Sequence, residues 1–263
     1  MLTTTEPRRV RIGPVLVDRV TFAGALDAVA ELVERRRGGT VFTPNVDHVV
    51  MASEDESLRR AYAGVDLSLA DGMPVVWAAR ALGAPLPERV AGSDLCAPLM
   101  QRAAEEGWRV YLLGGGRGSA RRAASHLRMA YPDLRIVGTA SPRIDMTEPP
   151  ARRRAVVDTI RAVAPDIVLV GLGAPKQEKW IHESAAALAP AVLLGVGASI
   201  DFLAGNARRA PGWMSAAGLE WLYRLAKEPR RLWRRYLVRD PRFLGILLVQ
   251  LVRTRARPSE TPS

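Results

Sequence analysis

The side chains best suited to chemistry in this chain stand where short apolar runs end. Asp71 follows Asp66–Leu69 and precedes Gly72, so a carboxylate is held at a strand exit with room beside it. There it can take a proton from a hydroxyl as a general base, or simply cap the helix that follows. Thr43, Asn45 and Asp47 form a second polar group after Thr40–Phe42, and strand exits are where open α/β sheets place ligands. Hydrogen bonding to a sugar or an amide suits them. Asn45-Val46-Asp47 has the outline of a two-carboxylate metal motif, but one of its ligands is an amide, which weakens a divalent-metal reading.

Two glycine turns add a possible anion site. In Pro165–Trp180 (PDIVLVGLGAPKQEKW), the run Ile167–Val170 ends at Gly171 and Gly173, and Pro175, Lys176, Gln177 and Glu178 open a helix. Pro175 suits its first turn. Free N–H groups and a positive dipole end there favour an anion, a phosphate above all. Gly114, Gly115 and Gly116, in GGGRGS, likewise follow a strand and open a helix, with Arg117 as added charge. The loop lacks the Gly-Lys-Ser/Thr ending of a P-loop and the spacing of a dinucleotide fingerprint. Alone it is as good a tight turn as a site; beside Gly171–Glu178 it points to a nucleotide diphosphate. His48, His182 and Cys96 have no metal-ligand spacing, and there is no Gly-x-Ser-x-Gly elbow. The expectation is no metal, no cofactor and no hydrolase triad.

Positioning these groups requires an alternating chain. Val10–Val17 reads as a first strand, Thr21–Arg37 as a helix and Thr40–Phe42 as a strand. Val49–Tyr62 reads as a helix with a break near Ser53–Asp55, then come strand Asp66–Leu69 and helix Val75–Leu82. Ser93 is the expected N-cap of a helix ending at Gly107. Trp108–Leu113, Arg135–Thr139, Ile167–Val170 and Ala191–Val196 read as strands, with helices Ser119–Met129 and Arg152–Val163 among them and a proline-rich loop over 141–150. Such alternation predicts an α/β fold: a Rossmann-like, mostly parallel sheet with helices on both faces.

With 263 residues, 48% of them hydrophobic and 25% charged, the chain can build one large core. A single cysteine rules out an internal disulfide and suits a reducing cytosol. The first residues hold no apolar run of the kind a secretion signal carries. The net charge of +11 is concentrated toward the end, where residues 211–263 carry eleven Lys/Arg against four Asp/Glu. Organisation is expected as a core over 1–210, a basic amphipathic helical appendage over 211–252, and a disordered tail over 253–263. From Pro229, helical spacing puts Arg230, Arg231, Arg234 and Arg235 on one half and Leu232, Trp233, Tyr236 and Leu237 on the other. Phe243–Val252 is apolar but too short to span a bilayer. These faces describe a helix lying on an anionic membrane, or a helical pair packed on the core or on a second subunit. The arginines could also close over a diphosphate.

TPNVDH, LADGMPVVWAARALG, ERVAGSDL, VYLLGGG, GLGAPKQEKW, GVGASIDFLAG, RAPGWMSAAGLEWLYRL and EPRRLWRRYL occur in this order. Together they resemble the WecG/TagA/CpsF glycosyltransferases, from about Val10 to Leu237. Pro74 stands where many members have glycine. The resemblance implies bacterial enzymes that move a sugar from a UDP-sugar to a polyprenyl-diphosphate-linked saccharide at the cytoplasmic face of the membrane. They build wall teichoic acid, enterobacterial common antigen or exopolysaccharide. Members transfer N-acetylmannosamine, its uronic acid or glucose, with inversion to a β-linkage. Asp71 then matches the catalytic base, and Thr43 and Asn45 the pair lining its pocket. Gln177 matches a polar residue near the sugar or diphosphate, and Arg230, Arg231 and Arg234 match basic residues of the appendage. A metal is not clearly required. An NAD-linked oxidoreductase and a basic nucleic-acid-binding protein are the competing readings. The first lacks the loop spacing and a catalytic Tyr-Lys or His; the second lacks aromatic residues interleaved with lysine.

Overall fold

A computed structural model describes residues 8–206 and 210–255. The chain opens with β1 (Arg9–Ile12) and β2 (Val15–Asp18), then α1 (Phe22–Glu34), β3 (Gly39–Phe42), α2 (Val46–Glu54), α3 (Glu56–Ala63), β4 (Leu67–Ser68), α4 (Met73–Ala81) and α5 (Gly92–Glu105). It continues with β5 (Arg109–Gly114), α6 (Ser119–Ala130), β6 (Arg135–Ala140), α7 (Pro150–Ala162), β7 (Ile167–Gly171), α8 (Lys176–Leu188), β8 (Val192–Gly195) and α9 (Ser199–Leu203). The last part is helical: α10 (Gly212–Ala216), α11 (Glu220–Lys227), α12 (Pro229–Trp233), a π-helical segment Arg234–Arg239 and α13 (Arg242–Arg255).

Strands β3 to β8 form one parallel sheet in the order β4-β3-β8-β7-β5-β6. Alternate residues of each strand point to opposite faces, and the two faces hold separate cores. Tyr111, Leu113, Val168, Val170 and Leu193 pack with α2, α3, α4 and α8. Val110, Leu112, Ile167, Leu169 and Val192 pack with α1, α5, α6 and α9. Burial on both faces explains the uninterrupted apolar strands. The expected α/β architecture and the C-terminal helices are present.

Four local expectations change. Val10–Val17 is an antiparallel hairpin in its own two-stranded sheet, because Gly13 takes a left-handed φ of +56° and Pro14 has no N–H to continue a ladder. Ser93 does not cap α5, which starts one residue earlier at Gly92. A Cβ on Gly92 would lie 3.1 Å from the Thr43 side chain, so the helix starts where its backbone passes close to that side chain. Pro175 stands just outside α8, after a cis Ala174–Pro175 peptide. The break expected near Ser53–Asp55 falls at Asp55, whose Oδ1 accepts from Leu58 N at 3.1 Å and caps α3. α13 runs to Arg255, so 253–255 are helical, and residues 256–263 of the expected tail lie outside the described residues.

Candidate active site

Backbone bonds between the strand exits build the site. Asp71 N donates to Pro44 O at 2.9 Å, tying the exit of β4 to that of β3, and Val90 N donates to Ala70 O at 2.9 Å, bringing Arg89 alongside. Gly72 then takes φ +110° at the N-terminus of α4, which has no side-chain cap. Asp71 therefore does not cap that helix. Its side chain keeps about a third of its surface (32%) and lies in the wall of a cavity of about 370 Å³. Arg89 Nη1 is 3.9 Å from Asp71 Oδ1, while its Nη2 binds Asp94 at 2.5 Å. Burial, helped by the negative charge of Glu220, raises the Asp71 carboxyl from 3.8 to about 6, against the pull of Arg224, Arg89 and His48. A carboxylate tuned upward in a cleft is what general-base chemistry near neutral pH uses.

Asn45 shares this cavity. As N-cap of α2 its Oδ1 accepts from Asp47 N at 3.1 Å, and its own N–H meets His48 Nδ1 at 3.2 Å. Thr43 is buried one step behind, donating from Oγ1 to Gly195 O at 3.1 Å. The structure thus brings Asp71 and Asn45 to one surface and places Thr43 as a brace between the β3 and β8 exits. Asp47 serves no metal-like pair: its carboxylate faces Arg239 Nε at 2.6 Å and Arg235 Nε at 3.1 Å. Among the described residues no group of three His, Cys, Asp or Glu has a metal-holding arrangement.

The glycine turns meet, as their adjacent strands require, but they meet each other. A Cβ on Gly114 would lie 2.4 Å from Gly171 O, and one on Gly171 would lie 2.7 Å from Gly197 O. Gly115 N also donates to Gly171 O at 2.8 Å. Close backbone packing accounts for these glycines. The open donor of the loop is taken as well: Asp201 Oδ1 accepts from Gly116 N at 2.9 Å and from Ser119 Oγ at 2.6 Å. An internal carboxylate thus stands where a phosphate was expected. Gly173 turns the chain at φ +76° into α8. There Lys176 is exposed, whereas Gln177 and Glu178 are buried.

The appendage closes the cavity. Trp221, Arg224, Arg235, Tyr236 and Phe243 face Asp71 across it. Arg224 pairs with Glu220 at 3.5 Å, and both also border a second cavity of about 250 Å³ with Phe202, Asn206, Tyr223 and Lys227. Of the arginines expected at the site, Arg230 is exposed and Arg234 lies over the Trp233 ring at 5.4 Å; the structure brings neither to these cavities. The side chain of Arg231 lies outside the described residues. Arg235 and Arg239, four residues apart in the π-helical segment Arg234–Arg239, share one face and meet Asp47 there. The predicted apolar half divides likewise: Leu232 is buried, while Trp233 and Leu237 are exposed. Arg89 and Arg224, within ERVAGSDL and LEWLYRL, were missed because single arginines in an arginine-rich chain carry no local signal.

No helix among the described residues is long and apolar enough to cross a membrane. The model of the glycosyl transferase WecG/TagA/CpsF family matches residues 10–257. The N-acetylglucosaminyldiphosphoundecaprenol N-acetyl-beta-D-mannosaminyltransferases of Bacillus spizizenii (strain ATCC 23059 / NRRL B-14472 / W23) and Bacillus subtilis (strain 168) are each 32% identical over 205 residues. That covers 78% of this chain and 77% of each relative. The eight motifs, the parallel sheet carrying Asp71 at a strand exit and this match together show that the chain belongs to the WecG/TagA/CpsF glycosyltransferase family.

Proposed function

We propose that this protein is an inverting hexosyltransferase that moves an N-acetylmannosamine-type or glucose-type sugar from a UDP-sugar to a polyprenyl-diphosphate-linked saccharide. Asp71 carries the reading, with a carboxyl raised to about 6 in the wall of the larger cavity. An acceptor hydroxyl bound there gives its proton to Asp71 while its oxygen attacks the anomeric carbon and UDP leaves from the opposite face. Arg224 and Lys227 border the second cavity beside Tyr223 and Phe202. Two cations and two rings suit a nucleoside diphosphate: the cations offset charge building on the leaving group, and the rings offer faces to a base. The larger cavity has an apolar side at Met73, Pro74, Trp221 and Phe243, which suits an acceptor carried on a lipid. With arginine and lysine available to the diphosphate, turnover is expected to survive chelation of divalent metal.

The relatives' printed substrates, a diphosphoundecaprenol-linked N-acetylglucosamine and a mannosaminyl group, favour N-acetylmannosamine as the sugar. The outer face of α13, with Leu244, Leu248 and Val252 exposed, supports a station on the inner surface of the membrane. UDP release from a panel of UDP-hexoses, with a short-chain lipid-diphosphate-GlcNAc acceptor, tests the reading. Acceptor-dependent turnover with one donor is expected; failure to bind UDP would overturn it. Loss of flotation with anionic liposomes on truncation after Pro211 is expected of the membrane role, and unchanged flotation refutes it.

A further inference from the structure

Glu178 is a carboxylate with no exposed surface, and the reaction proposed above does not use it. Burying such a group is unfavourable unless its partners repay the loss of water. Its Oε2 has no hydrogen-bond partner among the described residues, so what it gains comes through Oε1. That oxygen accepts from Gln177 Nε2 at 2.7 Å and lies 3.2 Å from His48 Nε2, within ion-pair distance but outside hydrogen-bond geometry. Each partner reaches a different strand exit. Gln177 Oε1 accepts from Gly197 N at 3.0 Å, in the loop after β8. His48 Nδ1 lies 2.8 Å from Asn45 Oδ1, after β3, and the same Asn45 oxygen meets Arg235 Nη2 at 3.3 Å. Arg235 is a wall of the cavity that holds Asp71.

We propose that Glu178 and His48 are positioning residues, forming a buried tie that fixes the β8 exit to Asn45 and, through Asn45, holds Arg235 in the cavity wall. Neither touches substrate. A purely structural role would be met as well or better by apolar residues of the same volume. An arrangement of one carboxylate, one imidazole and two amides directs its bonds to two loops and to the appendage. The word "positioning" rests on the function proposed above; the tie itself does not.

His48→Phe tests it. The ring can keep its edge-on packing against Tyr62, whose centroid is 6.3 Å from that of His48, but both polar contacts go. Amide hydrogen exchange in Arg234–Arg239 should quicken about ten-fold, the equivalent of one lost hydrogen bond, while exchange in β5 and α1 stays unchanged. kcat should fall about ten-fold with the KM values for donor and acceptor held within about two-fold. In an Asn45→Ala background the same substitution should cost little more, since the tie is already cut. Unchanged exchange in Arg234–Arg239 of a folded His48→Phe protein overturns the proposal, as does a kcat loss that is fully additive with Asn45→Ala. If the wild-type protein turns over no donor, quickened exchange still supports the tie while the transferase reading fails. Should His48→Phe not fold, the isosteric Glu178→Gln, which keeps an acceptor for Gln177, carries the same exchange measurement and the same two outcomes.

Discussion

Asp71 should titrate near pH 6 in the folded protein, and the rate should show it. A rise from 3.8 to about 6 corresponds to about 3 kcal/mol favouring the neutral carboxyl, at about 1.36 kcal/mol per pH unit. Solvent reaching a third of the side chain screens part of this, so about 2 kcal/mol is the working figure. If ionised Asp71 is the base, kcat/KM rises with pH and levels above about 6, and at pH 5 it is about one-tenth of the plateau. A carboxyl left at 3.8 would lose only about 6% there. Glu220→Gln removes the neighbouring negative charge and frees Arg224, so the acid limb should move down by roughly 0.5–1 pH unit. Asp240, raised to about 6 by burial and by Asp47, faces the same cavity; Asp240→Asn should leave the limb in place if Asp71 governs it. The assay is UDP release across pH 4.5–8.5. Stability follows with the opposite sign to an ordinary carboxylate. Because the folded value lies above the unfolded one, ionising Asp71 disfavours the folded state, weakly above pH 3.8 and fully above about 6. Asp71→Asn should therefore abolish turnover and raise Tm at pH 7.5 by about 4–8 °C, the shift expected for about 2 kcal/mol in a protein of this size, and the gain should shrink by pH 5. An acid limb near 4, or turnover retained by Asp71→Asn, would refute this account.

Gly114→Ala should destabilise by about 3 kcal/mol in denaturant unfolding, since its Cβ would lie 2.4 Å from a backbone oxygen at a φ of +108°; Gly116→Ala, whose nearest neighbours lie at 3.3 and 3.4 Å, should cost much less. Asp47→Asn leaves Arg235 and Arg239 facing no charge at that point. Breaking a buried pair costs about 3–5 kcal/mol, and the partial exposure of both arginines brings this to roughly 2 kcal/mol; faster tryptic cleavage within the appendage is the readout. Gln250→Ala removes two 2.7 Å bonds, from Gly13 N and to Arg11 O, that pin α13 to the hairpin. About 2 kcal/mol should be lost, measured as faster hydrogen exchange across α13 with the sheet unchanged.

Much of this architecture was legible in the chain as written. Ile167–Val170 and Trp108–Leu113 announce buried strands by being apolar throughout, and the chain alternates at a length that only a parallel sheet accommodates. Asp71 is identifiable because a strand ends, a carboxylate follows and Gly72 makes room. The hairpin was missed although Gly13-Pro14 is a local turn signal, and although the buried residues shift from even positions (Val10, Ile12) to odd ones (Val15, Val17) across it.

The sequence by itself determined the strands of the parallel sheet and the strand exits at Thr43–Asn45 and Asp71, since these depend on side-chain period and on backbone freedom within a few residues. Tertiary structure alone decided which charges meet. Asp201 occupies the glycine loop from 85 residues away. Gln177 turns inward to Gly197, and Arg224 and Arg235 arrive from the appendage to face Asp71. A glycine turn that accepts an anion looks alike in sequence whether the anion is a ligand or the chain's own aspartate. Long-range charge compensation depends on distance in space, and distance in space is set only once the core has packed.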